Sequence, residues 1–158
     1  MTPHVRDYCP EDFEELWRLD QECFPPGIAY SRLELMHYIR RRGVVALVAE
    51  EDGAVRGFAV AERKPSRGRS GESKPDVGHV ITIDVRESAR RHRVGTVLMD
   101  ALESRLHHAG CEVVYLETAV DNLAAITFYK RRGYGVLKTV PRYYENKLDA
   151  LLMGKKLV

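Results

Sequence analysis

The chain has 158 residues, 44% of them hydrophobic and 30% charged, a balance that fits one globular domain with a sizeable core over residues 1–158. A formal net charge of +2 is too small for bulk binding to nucleic acid or to a membrane surface, although basic clusters at 40–42, 90–93 and 130–132 make local positive patches. The longest apolar runs, such as "VVALVA" at 44–49, fall far short of the roughly 20 residues that a membrane helix needs.

In chain order, "HVRDYC" alternates as a short strand, and "PEDFEELWRLDQECF" sets Phe13, Leu16, Trp17 and Asp20 at helical spacing behind Pro10. "FPPG" breaks the chain, and Ser31 with Glu34 forms a capping box for a second helix that ends near "RRRG". "VVALVAEEDGAVRGFAVAERK" reads as two apolar strands joined at Asp52-Gly53, a strong hairpin signal, and "PSRGRSGESKPD" as a polar loop. "VGHVITIDV" is a β-branched strand, and "VGTVLMDALESRLHHAG" places Val94, Val97, Leu98, Ala101 and Leu102 on one helical stripe closed by Gly110. "CEVVYLET" is the next strand, "NLAAITFYKRRG" an amphipathic helix ending at Gly133, and "YGVLKTV" and "DALLMGKKL" are closing strands. This alternation predicts an α/β fold with at least one parallel strand pair, whose ligand site lies at the carboxyl ends of the strands.

Three cysteines, Cys9, Cys23 and Cys111, have no metal-type spacing. Their odd number, with no secretory leader in view, points to reduced, buried thiols in a cytoplasm, and no metal site is expected.

Between the strand and helix of the second half lies "RRHRVG", Arg90 to Gly95. The first amides of a helix have no internal partner and carry the positive end of its dipole, so they bind phosphate whatever the side chains. Arg90, Arg91 and Arg93 add full charges suited to a pyrophosphate or a 3′-phosphate. By itself the stretch fits equally well a solvated, charged helix entrance.

The second stretch, "YLETAVDNLAAITFYKRRGY", adds a pattern. Together the two blocks resemble the GNAT superfamily of acetyl-CoA-dependent N-acetyltransferases. One block is a strand, then R/Q-x-x-G-x-G/A, then a long helix, matched by "HVITIDV" and "RRHRVG"; the other is N-x-x-A-x-x-x-Y-x-x-x-G-F/Y, matched by Asn122, Ala125, Tyr129, Gly133 and Tyr134. The resemblance implies a mixed, mostly antiparallel central sheet of about seven strands, with a splayed parallel pair at the cofactor site, flanked by about four helices. Within the superfamily the chain is most similar to the protein N-terminal acetyltransferases, including the RimI type that modifies a ribosomal protein. "LETAVDNLAAITFY", the Tyr143-Tyr144 pair and "FPPGIAY" carry that likeness.

The resemblance implies acetyl-CoA as acyl donor and an amine acceptor, most readily a protein N-terminus. Such a transfer needs a base for the ammonium, donors for an oxyanion and an acid for the leaving thiolate. Glu117 takes the family's base position and Tyr129 its acid position, while His79 stands where relatives hold a catalytic water. The backbone of Ile83 and Val85 is expected to pair with the pantetheine arm as an added strand, and the amides from Arg90 through Arg91, His92, Arg93, Val94 and Gly95 to Thr96 to hold the pyrophosphate. Asn122 caps the following helix and approaches the cofactor or Glu117, and Tyr30, Tyr143 and Tyr144 line the acceptor slot.

Two positions depart from the pattern. Arg93 stands where the family favours glycine, at a cost on the order of 1 kcal/mol if its φ is positive and at none if it is helical. Asp84 stands where relatives carry a small residue, facing solvent or the cofactor. Acceptors of other kinds remain open at this stage: a small-molecule amine, a lysine side chain, or none, in a weak acyl-CoA-binding module. Nucleic-acid binding is not expected, and an exposed final strand offers an edge for a homodimer.

Overall fold

The computed structural model describes residues 2–66, 74–90, 92–145 and 147–157. Arg91 and part of the polar loop read at 65–76 lie outside them. Seven strands, β1 (His4–Asp7), β2 (Val44–Glu51), β3 (Ala54–Lys64), β4 (Asp76–Val85), β5 (Cys111–Ala119), β6 (Gly135–Tyr144) and β7 (Leu148–Lys156), alternate with four helices, α1 (Phe13–Cys23), α2 (Arg32–Ile39), α3 (Val94–His108) and α4 (Leu123–Arg131). The strands form one sheet in the order β1-β2-β3-β4-β5-β7-β6. Among the described residues its one parallel pair is β4 with β5, and the other pairs are antiparallel. This is the mixed, mostly antiparallel architecture that the resemblance implies.

Local chemistry explains the element boundaries. Ser31 Oγ accepts the Glu34 amide at 3.1 Å while Glu34 Oε1 accepts the Ser31 amide at 3.0 Å, so the predicted capping box is formed in both directions. Asp52 and Gly53 both have positive φ, 54° and 76°, as the tight turn between β2 and β3 requires.

Alternation along the central strands gives the sheet two apolar faces. Leu98, Met99, Leu102 and Leu106 of α3 cover Leu47, Ala49, Ala59 and Ala61 on one face. Phe13, Leu16, Leu19 and Leu35 of α1 and α2 cover Val48, Phe58 and Val60 on the other. Each such leucine, essentially fully buried, contributes about 1.5–3 kcal/mol. Small residues on β2 and β3 let α3 sit close: a Cβ at Gly57 would lie 2.6 Å from the Asp84 carbonyl oxygen and 3.0 Å from Val94 Cγ1.

Two irregularities in β4 position the site. Val60 pairs with Thr82 and Ala61 with Val80, so Ile81 is an inserted bulge residue. A one-residue slip reverses the faces beyond it. Val80 looks toward α3, whereas Thr82 and Asp84, opposite Val60 and Phe58, look toward α1 and α2. The second irregularity is that β4 and β5 pair only from Asp76↔Cys111 to His79↔Tyr115 and then diverge.

Two expectations need correction. The final strand is no edge: β7 lies between β5 and β6, and β6 is the outer strand, because the last hairpin folds back inward. Nor are the cysteines uniformly buried. All three are free, but only Cys111 is buried, whereas Cys9 is exposed and Cys23 half-buried, since the latter two sit at the ends of elements. Gly57→Ala should lower stability by about 1–3 kcal/mol through overpacking, read as a lower urea midpoint with an unchanged denaturant slope.

Candidate active site

Where β4 and β5 part, three strands set a row of polar groups across the sheet. Glu62 of β3 is the register partner of His79, and His79 that of Tyr115. Neighbours of that kind share a face, so the His79 ring stacks on Tyr115 with centroids 4.5 Å apart. Glu117, two residues along β5 on the same face, reaches back so that its Oε2 lies 2.6 Å from His79 Nε2. The other ring nitrogen, Nδ1, lies 3.5 Å from Glu62 Oε1. Burial works against the Glu62 carboxylate, but Arg41 at 2.7 Å and Lys64 at 3.3 Å outweigh it and hold its carboxyl below the usual range. A histidine therefore sits between two carboxylates, one facing the fork and one anchored by cations behind it.

The acceptor-side tyrosines converge. Tyr30, Tyr38, Tyr143 and Tyr144 line one cleft of about 630 Å³ between the α1–α2 loop and the β6–β7 turn. Gly27 of the loop abuts the Glu145 side chain of the turn, so the two segments meet over it. Tyr30 is held at several points: its carbonyl accepts Trp17 Nε1–H at 3.2 Å and Gln21 Nε2–H at 2.7 Å, and its hydroxyl donates to the Ile81 carbonyl, at the bulge, at 3.3 Å. Burial, then the charge of Glu117, pushes the Tyr143 hydroxyl up to about 12.

On the cofactor side, the Arg86 amide donates to the Arg56 carbonyl at 2.8 Å. Beyond the bulge the even residues of β4 therefore turn their backbone toward β3 and leave that of Ile83 and Val85 facing the fork. The Val85 carbonyl is already engaged by Cys23 Sγ at 3.4 Å and Arg90 Nε at 3.3 Å. Arg93 is the N-cap of α3 with φ 66° and ψ 13°, in the left-handed region, and its side chain makes no capping bond. The arginine therefore adopts the glycine-type conformation. The first helical bond runs from the Val97 amide to the Arg93 carbonyl at 3.0 Å, so the amides of Val94, Gly95 and Thr96 have no intrahelical acceptor. The expected run of amides is shorter than the sequence implied: Arg90 and His92 donate theirs to Glu87 and Ala89 within the preceding turn. At Gly95 a Cβ would lie 3.3 Å from Phe128 of α4, so a bare backbone fits the tight approach of the two helices.

Tyr129, on α4, is buried with its ring edge-on to Phe128 and Tyr134. Burial, with smaller contributions from Asp84 and Tyr144, raises its hydroxyl well above the usual tyrosine range. Asn122 caps α4, its Oδ1 accepting the Ala125 amide at 3.2 Å. Asp84 faces neither solvent nor the fork: it is buried against α1. Glu62, Tyr38 and Arg41 were missed by sequence reasoning. The one signal for Glu62 was a carboxylate inside the apolar strand "FAVAERK".

These residues sit in a recognisable frame. The model of the acetyltransferase (GNAT) family matches residues 13–134. An N-alpha-acetyltransferase of Sulfurisphaera tokodaii is 30% identical over 156 residues, 97% of this chain and 92% of that protein. The crystal structure of Ard1 from Thermoplasma volcanium superposes with a TM-score of 0.85 at 28% identity, covering 100% of this chain and 99% of that one. Arabidopsis thaliana NAA60, crystallised with acetyl-CoA, shares the fold with a TM-score of 0.85 at 21% identity over 99% of each chain. The chain belongs to the acetyltransferase (GNAT) family.

The backbone at position 93 has a measurable consequence. Arg93→Gly should be more stable than Arg93→Ala by about 1 kcal/mol, because only glycine occupies the left-handed region without strain. Urea unfolding of the two variants checks it.

Proposed function

We propose that this chain is a single-domain, cytoplasmic acetyltransferase that moves the acetyl group of acetyl-CoA to the α-amine of a protein or peptide N-terminus. The observation that carries this reading is the His79–Glu117 contact of 2.6 Å, at the fork between a strand edge suited to a pantetheine arm and a tyrosine-lined cleft. Its relatives include proteins named N-alpha-acetyltransferase. Among the described residues no helix is long and apolar enough to cross a membrane.

The residues present fit acetyl-CoA. The backbone of Ile83 and the amide of Val85 match an extended amide-bearing arm, and the amides of Val94, Gly95 and Thr96 match a pyrophosphate, with Arg90, His92 and Arg93 in the turn before them; Arg91, expected in the same run, lies outside the described residues. When bound, acetyl-CoA supplies an activated acyl group on a thiol leaving group.

On the acceptor side the base must remove a proton from an ammonium. Glu117 receives it, directly or through one water, while His79 orients the Glu117 carboxylate through Nε2 and faces with Nδ1 the Glu62 carboxylate, which Arg41 and Lys64 keep ionised. Tyr30, Tyr143 and Tyr144 hold the first residues of the peptide in the cleft, which opens between backbone segments and so suits a chain end. Tyr129 holds its proton throughout the neutral range, as an acid for a thiolate must.

A peptide array with varied first and second residues, assayed with acetyl-CoA, tests the reading; acetylation confined to lysine side chains or small amines would overturn it. Glu117→Gln should lower kcat/KM about a hundredfold or more. Tyr129→Phe should lower kcat by a similar factor equally across neutral pH, since a hydroxyl raised above the usual range does not titrate there.

A further inference from the structure

Two carboxyls outside the His79 row meet in the core. Asp20, on the sheet-facing side of α1, has no exposed surface, and Asp84 on β4 is 1% exposed. Each has one oxygen with an ordinary donor: Asp20 Oδ2 accepts the Tyr30 amide at 2.7 Å, and Asp84 Oδ1 accepts the Thr82 hydroxyl at 2.5 Å. The remaining oxygens, Asp20 Oδ1 and Asp84 Oδ2, are buried and without an N–H or hydroxyl donor among the described residues. The two carboxyls are within hydrogen-bonding reach of each other.

Two bare carboxylates buried so close together would repel strongly. The titratable groups facing them are Cys23 of α1, Tyr30 of the α1–α2 loop, Glu34 of α2 and Tyr129 of α4, all neutral or anionic. Arg90 reaches Cys23 Sγ at 4.0 Å rather than either carboxyl. A single proton completes the accounting: Asp84 donates to Asp20 Oδ1, and each of the four oxygens then has one partner.

We propose that Asp20 and Asp84 share one proton, and that this carboxyl–carboxylate bond fixes the acceptor loop to the cofactor strand, making both of them positioning residues for acetyl transfer. Asp84 lies between Ile83 and Val85, whose backbone edges the fork, and Asp20 holds the amide of Tyr30, which lines the cleft. The bond thus ties together the two surfaces that must present acyl donor and amine in register. Its positioning role rests on the reading of that cleft as an acceptor site; the shared proton does not. The bulge at Ile81 is what brings Asp84 to the α1 face at all.

Burial, and next the charge of Asp20, raises the Asp84 carboxyl well above the usual range, and burial raises Asp20 as well. A proton bound more tightly in the folded state than in the unfolded one stabilises fully below the unfolded value and is lost as pH rises through the folded value. Stability should therefore fall with rising pH across that window, by up to about tenfold in the unfolding equilibrium per pH unit.

Infrared spectroscopy at neutral pH tests the proton directly. The wild type should show a protonated-carboxyl stretch that is absent from Asp84→Asn, where the amide donates instead. Asp84→Asn should also flatten the pH dependence of stability. Trp17, the single tryptophan, bonds the Tyr30 carbonyl and so reports on the loop without any assay of activity. Asp84→Ala should shift its emission to the red and raise the peptide KM about tenfold, with kcat and the acetyl-CoA KM much less affected, while Asp84→Asn stays near wild type in all four. A wild type lacking a carboxyl band that Asp84→Asn removes would overturn the shared proton, and an Asp84→Ala protein with unchanged Trp17 emission would overturn the positioning role. Should Asp84→Ala fail to fold, the Asp84→Asn spectrum still decides the first point, and a Trp17 emission that red-shifts in an Asp20→Ala protein but not in Asp20→Asn decides the second. Absence of peptide acetylation in the wild type would instead count against the acceptor reading, leaving the band and the emission to be judged on their own.

Discussion

The parallel ladder between β4 and β5 stops at His79 and Tyr115, and the rest of the site depends on that stop. Beyond it each strand keeps its outer partner, β3 for one and β7 for the other, so neither can move to close the gap. Backbone groups inside a sheet demand partners. The fork is thus a strand vacancy in the middle of the fold, and an extended ligand bearing amides fits it better than a compact one. The same divergence opens the space beside His79 in which Glu117 crosses to the imidazole.

A single inserted residue decides which chemistry faces which layer. His79 and Asp84 are separated by an odd number of positions and would project to opposite faces of a regular strand. With Ile81 bulged, both look toward α1 and α2 and the loop between them. The opposite face keeps an uninterrupted apolar contact between α3 and the small residues of β2 and β3. The polar side chains His79, Thr82 and Asp84 are thereby gathered on one side of the strand.

Most of the architecture was legible because it rests on local signals: a capping box at Ser31, a two-residue turn at Asp52-Gly53, a leucine stripe on α3. The roles suggested for Glu117 and His79 came from spacing shared with a family, and the structure shows the two in contact. Glu62 and Asp20 were not legible as polar partners, since each is one carboxylate in an apolar frame whose neighbour is set by register, and nothing in "VITIDV" announces a bulge. Asp84 was visible as an anomaly, but its direction depended on that same bulge. The conformation of Arg93 could be posed only as two alternatives, of which the structure selects the left-handed one. The place of β7 was misread because chain order does not give spatial order when the last strand inserts between two earlier ones.

The outer strand, β6, leaves Val136, Leu137 and Tyr143 largely exposed along an unpaired edge, an arrangement that in many proteins invites a neighbouring chain to add a strand. Here the edge is blunted along its length. Lys138 is exposed, Pro141 removes a donor, and Arg142 takes a φ of 54° at the break in pairing between Val140 and Tyr144. The strand that carries the tyrosines of the cleft is thus poor material for intermolecular sheet growth, and a nascent or crowded chain can expose it with less risk of aggregation than its apolar side chains alone would suggest.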